Sequence, residues 1–294
     1  MKQPNRVQML ACTLAAALLA GCGLTVHQRA ALLDFNRAAT EFSSVTANEF
    51  HYTRDDVIKL NIYRDKLGDA SLDPDRMDGN FSPDRLKIRL EAMAALQSYA
   101  DLLQKLIAAS PQEELNSASD LLITNLRKVK GVSLSDSQAG AIAKAVASVA
   151  GLWVEHKRKQ ATSEVVKQAD QPIKSLLATV EREFRLDSST NWVAGYRTTA
   201  ITLMGRATYL ENRDTNAPLT ALANLREARA YARTVTNRID IVSPNIISAA
   251  HSLTAAQDKL YSALTSADIG TADITAFAAQ VDDFVMLYKA ITTK

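Results

Sequence analysis

The stretch Ser82–Ile107 reads SPDRLKIRLEAMAALQSYADLLQKLI and predicts the clearest helix of the chain. Its apolar residues recur at spacings of three and four, as on one face of an α-helix. The residues of this face are Leu86, Leu90, Met93, Leu96, Ala100, Leu103 and Ile107. At its start, Ser82 suits a helix cap, Pro83 the first turn and Asp84 the helix dipole. We therefore predict a helix that begins at Pro83.

The same periodicity continues on both sides of this stretch, from about Gln28 to the end of the chain. No stretch alternates convincingly with the period of two that marks a β-strand. Further helical segments are predicted over residues 111–130, from 135 past 164, 173–184, 192–211, 222–242, 246–264 and 274–291. Pro172 and Pro244 are expected to kink or interrupt helices. We predict an all-α fold, an elongated antiparallel helical bundle of six to eight long helices over residues 29–294.

The composition excludes several classes of protein. Of the 294 residues 47% are hydrophobic, so the chain can bury a core and is not a disordered tail. Its 10 glycines and 7 prolines are few for a turn-rich β-sandwich or barrel. Two cysteines exclude a disulfide scaffold. Because 34 basic residues nearly balance 32 acidic ones, no nucleic-acid partner is predicted.

The N-terminus has the parts of an export signal. Lys2 and Arg6 make it basic, and the run from Met9 to Ala20 is apolar except for Thr13. This run is too short to span a membrane as a mature helix. Removal of residues 1–21 would also remove both basic residues and leave a formally neutral chain.

The apolar run closes in Leu19-Ala20-Gly21-Cys22, which resembles the lipobox of bacterial lipoproteins. The resemblance implies cleavage between Gly21 and Cys22, a thioether-linked diacylglycerol on Cys22, and a membrane contact through that lipid. Because Gly23 and not aspartate follows, the sorting convention of such lipoproteins implies the outer membrane, facing the periplasm. Placement in the inner membrane or at the cell surface, and a plain secretory signal, remain alternatives. We expect residues 22–28 to form a short tether.

No catalytic motif is present in the rest of the sequence. It contains no glycine-flanked serine, no phosphate-binding glycine loop and no zinc helix with paired histidines. The four histidines, His27, His51, His156 and His251, are scattered along the chain. His51 and Asp55 could form a metal or acid–base pair on one helix face, although an ordinary surface contact is the stronger expectation. We expect no enzyme, no metal and no cofactor.

A compact basic cluster is formed by His156-Lys157-Arg158-Lys159. It could contact phosphate headgroups or an acidic protein partner. The alternative is an ordinary solvated face of a long helix.

An acidic loop precedes the helix that begins at Pro83. Asp73, Asp75, Asp78 and Asp84 partly match the ligand spacing of a calcium-binding loop. A methionine occupies one ligand position and the glycine is one place late. A solvated turn is therefore the favoured interpretation.

The apolar stretch Ala139–Val154 allows two interpretations. A face of small residues spaced four apart, which would let another helix approach closely, predicts the most buried helix of the bundle. This face consists of Ala139, Ala143, Ala147 and Gly151. The alternative is a membrane-inserting element of a pore-forming protein. At about 1.5 Å per residue, however, the stretch is shorter than a bilayer core of about 30 Å, and Lys144 interrupts it.

Together these features predict a lipoprotein anchored in the outer membrane and facing the periplasm. We expect it to act as a non-enzymatic protein-binding module, such as an envelope scaffold, an assembly factor or an immunity or inhibitor protein. The alternative is a carrier that encloses a lipid or another apolar ligand in the bundle. A pore-forming or hydrolytic protein is a weaker alternative.

Overall fold

The computed structural model describes residues 23–68, 77–149, 154–213, 218–265 and 272–292. Within these ranges the chain forms eight α-helices and no β-strand, which confirms the predicted all-α bundle. The helices are α1 (Val26–Lys66), α2 (Pro83–Ile107), α3 (Gln112–Lys128), α4 (Asp136–Ala147), α5 (Val154–Phe184), α6 (Trp192–Arg213), α7 (Leu219–Thr265) and α8 (Ala272–Thr292).

Helix α1 lies in the middle of the bundle and contacts α2, α6, α7 and α8. It runs antiparallel to α2, because Arg29 donates to the carbonyl of Ile107 at one end and Arg54 to that of Phe81 at the other. It is antiparallel to α7 as well. Its first turn contacts the last turn of α7, while Tyr63 near its end contacts Glu227 near the start of α7. Four helices therefore pack directly against the 41-residue helix α1, whereas α3, α4 and α5 pack chiefly against other helices.

Aromatic side chains fill the centre of the bundle at two levels. At one level the ring of Phe35 contacts those of Tyr99 and Phe277, both with centroids 6.1 Å away. At the other level Phe50 packs against Phe184 at 5.0 Å and against Trp192 at 6.1 Å. These side chains occupy the space in which an enclosed apolar ligand would lie.

Helix α4 is less buried than the sequence predicted. It buries only Ala139, Ile142 and Val146, whereas Ala143 is half-buried and Ala147 is exposed. The reason is that α4 packs chiefly against α3 and α5, on one side of the bundle. The prediction that it is the most buried helix is therefore wrong.

A single helix was also predicted from residue 135 past residue 164, but α4 ends at Ala147. The backbone amide of Ser148 donates to the carbonyls of Lys144 and Ala145, and α5 begins at Val154. Gly151 lies outside the described residues. None of the helices that the structure describes contains an apolar stretch long enough to cross a bilayer.

Neither Pro172 nor Pro244 ends a helix. Pro172 lies inside α5 and Pro244 inside α7, so the two predicted segments 222–242 and 246–264 form one 47-residue helix. A proline removes one backbone hydrogen bond, and packing along a long helix can outweigh that loss. Ser243, next to Pro244, is buried and donates to the carbonyl of Phe184. Tertiary contacts therefore hold α7 where its local sequence favours an interruption.

The predicted tether over residues 22–28 is wrong from Leu24 onward. Leu24 is buried, and Thr25 forms a reciprocal capping box with Gln28 that begins α1. The buried side-chain amide of Gln28 donates to the carbonyl of Ala263 at 2.6 Å. The bundle thus begins almost at Gly23, because Leu24 is buried and both Thr25 and Gln28 form hydrogen bonds at the start of α1.

The position of α1 predicts a large difference between two neighbouring apolar residues. Phe35 is fully buried between Tyr99 and Phe277, whereas Leu33 is 50% exposed. We expect Phe35→Ala to lower the free energy of unfolding by about 3–5 kcal/mol, measured by urea denaturation, because it leaves a cavity. Leu33→Ala is the matched control and should change it by about 0.5 kcal/mol or less. Similar losses in both variants would contradict the central position of α1.

Candidate functional site

Charged and phenolic side chains form a cluster where α1, α6 and α7 meet. Arg238 on α7 donates to Glu49 at 2.7 Å and to Asp56 at 3.0 Å, both on α1. Asp56 also accepts hydrogen bonds from the hydroxyls of Tyr196 at 2.5 Å and Tyr231 at 2.6 Å. We call these five residues the α1–α7 charge cluster.

Burial governs the protonation of this cluster. The side chain of Glu49 is only 3% exposed. Burial raises the pKa of Glu49 to about 7, although Arg238 acts in the opposite direction. Burial also disfavours the charged guanidinium, but the attraction of Glu49 and its neighbours is stronger, so the pKa of Arg238 is raised. The pKa values of Tyr196 and Tyr231 are raised by burial and by Asp56, so both phenols remain hydrogen-bond donors.

A groove of about 860 Å³ lies between α1 and α8, next to this cluster. Val45, Val285 and Met286 provide apolar surface in the groove, which we call the α1–α8 groove. Two tyrosines connect it to the buried cluster. The guanidinium of Arg238 lies 4.8 Å from the ring centre of Tyr52, and burial together with Glu49 raises the pKa of Tyr288.

The predicted pair His51 and Asp55 lies in the α1–α8 groove, together with Glu41 and Asp282. Two of these carboxylates are already paired, because Arg37 donates to Asp282 at 3.1 Å and lies 3.7 Å from Glu41. No hydrogen bond joins His51 to a carboxylate in the described part of the chain. The groove thus gathers a histidine and three carboxylates without aligning them for proton transfer.

The other histidines are distant from this groove in the fold. His27 is exposed in the first turn of α1, and His251 on α7 lies 2.8 Å from Glu181. Over the described ranges, no group of three or more histidine, cysteine, aspartate or glutamate side chains is placed to hold a metal ion.

The predicted basic cluster of residues 156–159 is divided between two environments. Four consecutive residues extend around a whole helical turn, so their side chains point in different directions. His156 and Lys159 line a groove of about 770 Å³ between α4 and α5, and Lys144 of α4 joins them. Lys157 is half-buried, and Arg158 lies 3.5 Å from Glu155 with only 11% of its side chain exposed. The four residues therefore do not form one cationic surface.

The predicted calcium loop is only partly described. Asp73 and Asp75 lie outside the described residues. Asp78 accepts a hydrogen bond from Arg54 at 3.0 Å, and Asp84 is exposed in the first turn of α2. This hydrogen bond joins Asp78, shortly before α2, to α1.

The lipobox residues Leu19–Cys22, which include the predicted cleavage site at Gly21 and lipidation site at Cys22, also lie outside the described residues. The position of Gly23 shows where the chain enters the bundle. A Cβ on Gly23 would lie 3.5 Å from the Cβ of Glu155, at the start of α5. Gly23 therefore lies at the end of the bundle that carries the α4–α5 groove.

Sequence reasoning missed the α1–α7 charge cluster. Glu49 and Asp56 are seven residues apart on α1, a spacing that places them on one helix face. Arg238 interrupts the apolar stripe that contains Val235, Ile239 and Val242 on α7. A charged residue beside such a stripe was the available signal, but it does not identify the partner.

No protein-family model matches this chain, and neither a curated protein nor a solved structure matches it.

The raised pKa of Glu49 predicts a pH-dependent stability. Between about pH 4.5 and 7 the folded protein retains a proton on Glu49 that the unfolded chain releases. The free energy of unfolding should therefore fall as the pH rises through this range, at most by about 1.4 kcal/mol per pH unit for this group. Glu49→Gln should lack this component, as measured by urea denaturation at each pH.

Glu41→Gln is the matched control, because Glu41 is a partly exposed glutamate on the same helix. The free energy of unfolding of Glu41→Gln should fall with rising pH as steeply as that of the unaltered protein. Identical pH profiles for the unaltered protein and Glu49→Gln would contradict the proposed protonation of Glu49.

Proposed function

We propose that this protein is a lipoprotein anchored through Cys22 in the outer membrane and facing the periplasm, where it binds another protein without catalysing a reaction. The lipobox supports the anchor, and Gly23, the residue after Cys22, packs against Glu155 at the start of α5. With almost no tether, the anchored end of the bundle would lie close to the bilayer.

The α1–α8 groove is the proposed protein-binding surface, and its exposed apolar residues carry this proposal. Met286 is 63% exposed and Tyr52 is 42% exposed, beside the apolar wall of the groove. Large exposed apolar side chains gathered in one groove with a polar rim are typical of interaction surfaces. No aligned acid–base pair accompanies them in the described part of the groove, so binding is favoured over catalysis.

The groove also lies far from the proposed anchor. Glu41 and Asp55 are 18 and 32 residues beyond Gly23, and a helix rises by about 1.5 Å per residue. The groove is therefore displayed about 27–48 Å from the anchored end along α1. A periplasmic partner could reach it without contact with the bilayer.

The rim of the groove indicates the chemistry of the partner. Glu41 and Asp282 share Arg37, whereas Asp55 is exposed and forms no ion pair within the described ranges. A groove between two helices suits an amphipathic helix, whose apolar face would cover Met286 and Tyr52. Basic residues beside that face would complement Asp55. We therefore propose an amphipathic helix with basic flanks as the partner segment.

A carrier function inside the bundle has less support. The level of Phe35, Tyr99 and Phe277 is filled by their rings, so the core leaves no room there for an apolar ligand.

The anchor is tested by labelling cells with radioactive palmitate. The unaltered protein should incorporate the label and Cys22→Ala should not, because the thiol that receives the lipid is absent. Cys12→Ala is the matched control and should be labelled normally, since Cys12 lies within the proposed signal. Equal labelling of Cys22→Ala and the unaltered protein would show that Cys22 is not the lipidation site.

The groove is tested by photo-crosslinking in intact cell envelopes. A photoreactive amino acid at position 286 should give one defined product, whose partner peptide is an amphipathic helix with basic flanks. Leu121 on α3 is the matched control position, because it is 50% exposed and lies outside the groove.

Asp55→Asn in the variant with the photoreactive residue should lower the yield of the crosslinked product, because it removes the unpaired rim charge. The proposal fails if position 121 gives the same product, or if position 286 gives none.

A further inference from the structure

The α4–α5 groove combines an apolar floor with a cationic rim. Its floor consists of Ala141, Ala145 and Ala161, with Leu264 of α7 at the base. Alanine side chains leave an open channel between the two helices. The volume of about 770 Å³ lies within the range of about 300–1,000 Å³ that is usual for small-molecule sites.

Lys144 and Lys159 stand on the rim of this groove, and neither forms an ion pair within the described part of the chain. Arg158 and Lys174 of α5 are paired with Glu155 and Asp170, and Lys167 of α5, which forms no ion pair within the described ranges, lies outside the groove. His156 also lines the groove. Lys144 and Lys159 therefore place two positive charges on the rim that no carboxylate of the described residues pairs with.

One carboxylate, Glu164, also lines the groove. It accepts a hydrogen bond from the side-chain amide of Gln168 at 2.7 Å. Glu164 lies more than one helical turn beyond Lys159, and Lys144 is on the facing helix. Two lysines and one carboxylate thus line the groove, so the lysines are in excess.

We propose that the α4–α5 groove binds an anionic phospholipid of the surrounding bilayer, with one acyl chain on the alanine floor and the phosphate at Lys144 and Lys159. An apolar chain joined to an anionic head matches both parts of the groove. A free phosphate would leave the floor uncovered, and an uncharged lipid would leave both lysines without a partner.

The position of the groove explains how such a lipid would reach it. Gly23 packs against Glu155 at the start of α5, and Arg29 lies 2.5 Å from the same carboxylate. The groove therefore opens at the end of the bundle where Gly23 lies, and Gly23 is the residue that follows the proposed lipidation site in the sequence. This supply of bilayer lipid is the step that rests on the proposed anchor.

The acyl chains on Cys22 itself fit the groove less well. The diacylglyceryl group and an amide-linked acyl chain carry no charge, so neither would neutralise Lys144 or Lys159. The rim thus favours a separate anionic lipid. This distinction allows an experiment to separate the two sources.

The proposal is tested by photolabelling with the full chain reconstituted into phosphatidylcholine vesicles. These vesicles contain a small fraction of either phosphatidylglycerol or phosphatidylcholine that carries a diazirine on its acyl chain. Labelled peptides are identified by mass spectrometry. Phosphatidylglycerol should label the peptides around residues 141–148 and 160–164 about tenfold more than phosphatidylcholine does, because two lysines attract its net negative charge, whereas the choline of phosphatidylcholine neutralises the phosphate.

Variants of the groove distinguish binding of the lipid headgroup from binding of its acyl chain. Lys144→Gln combined with Lys159→Gln should reduce labelling by phosphatidylglycerol to the level seen with phosphatidylcholine. Lys167→Gln is the matched control, because Lys167 is an exposed lysine of α5 outside the groove. Ala145→Trp should abolish labelling within the groove by filling its floor. Circular dichroism checks that each variant remains helical.

Several outcomes would overturn the proposal. Equal labelling by the two lipids, or labelling that the double lysine variant does not change, would exclude an anionic lipid site. Labelling confined to the surface around Lys157 would show a simple electrostatic contact with the membrane. Labelling of Cys22→Ser but not of the unaltered protein would show that the groove holds the acyl chains of Cys22.

The anchor and the groove can fail separately. Palmitate incorporation reports only on Cys22, whereas the vesicles supply phospholipid to the groove whether or not Cys22 is acylated. Groove labelling without palmitate incorporation would refute the proposed anchor and still support the proposed lipid site.

Discussion

The ion pairs of Arg238 with Glu49 and Asp56 fix the position of α7 on α1, and the other helices are arranged around this pair. All three side chains are largely buried, so each charge needs its partner. A shift of α7 by one turn, about 5.4 Å, would break both contacts. A buried charge left alone costs several kcal/mol, so only one register of the two helices is favourable. Hydrophobic stripes alone would tolerate neighbouring registers far better.

The sequence predicted the helices well where local signals and packing agree. The helix over residues 83–107 was predicted with its observed bounds, because Pro83 and the apolar face both mark it. The predicted helix start at residue 135 is also correct, since Ser135 and Gln138 form a capping box at the start of α4. The prolines misled the prediction, since the contacts of Ser243 and its neighbours override the local preference of α7. Likewise, spacing showed that α4 has a small-residue face but not that this face lacks a covering helix.

The candidate site was harder to predict, because each part of it combines side chains from different helices. His156 and Lys159 were recognised as basic, but Lys144 was interpreted only as an interruption of an apolar stretch. Its role in the groove depends on the antiparallel pairing of α4 with α5, which no local pattern specifies. The same holds for Arg238, whose two partners are more than 180 residues away along the chain. Sequence periodicity predicts which residues share one face of a helix, but it does not predict which helix faces pack together to form a site.

The two grooves have opposite chemistry and lie at different levels of α1. The α4–α5 groove is cationic and lies beside the first turn of α1, since Leu264 in its base follows the residue that Gln28 contacts. The α1–α8 groove is lined by three carboxylates and one lysine, Lys289, and lies farther along the same helix. The two grooves share no lining residue. Tyr52 connects the distal groove to Arg238, so the cluster that fixes the register of α7 also sets the shape of the proposed protein-binding surface.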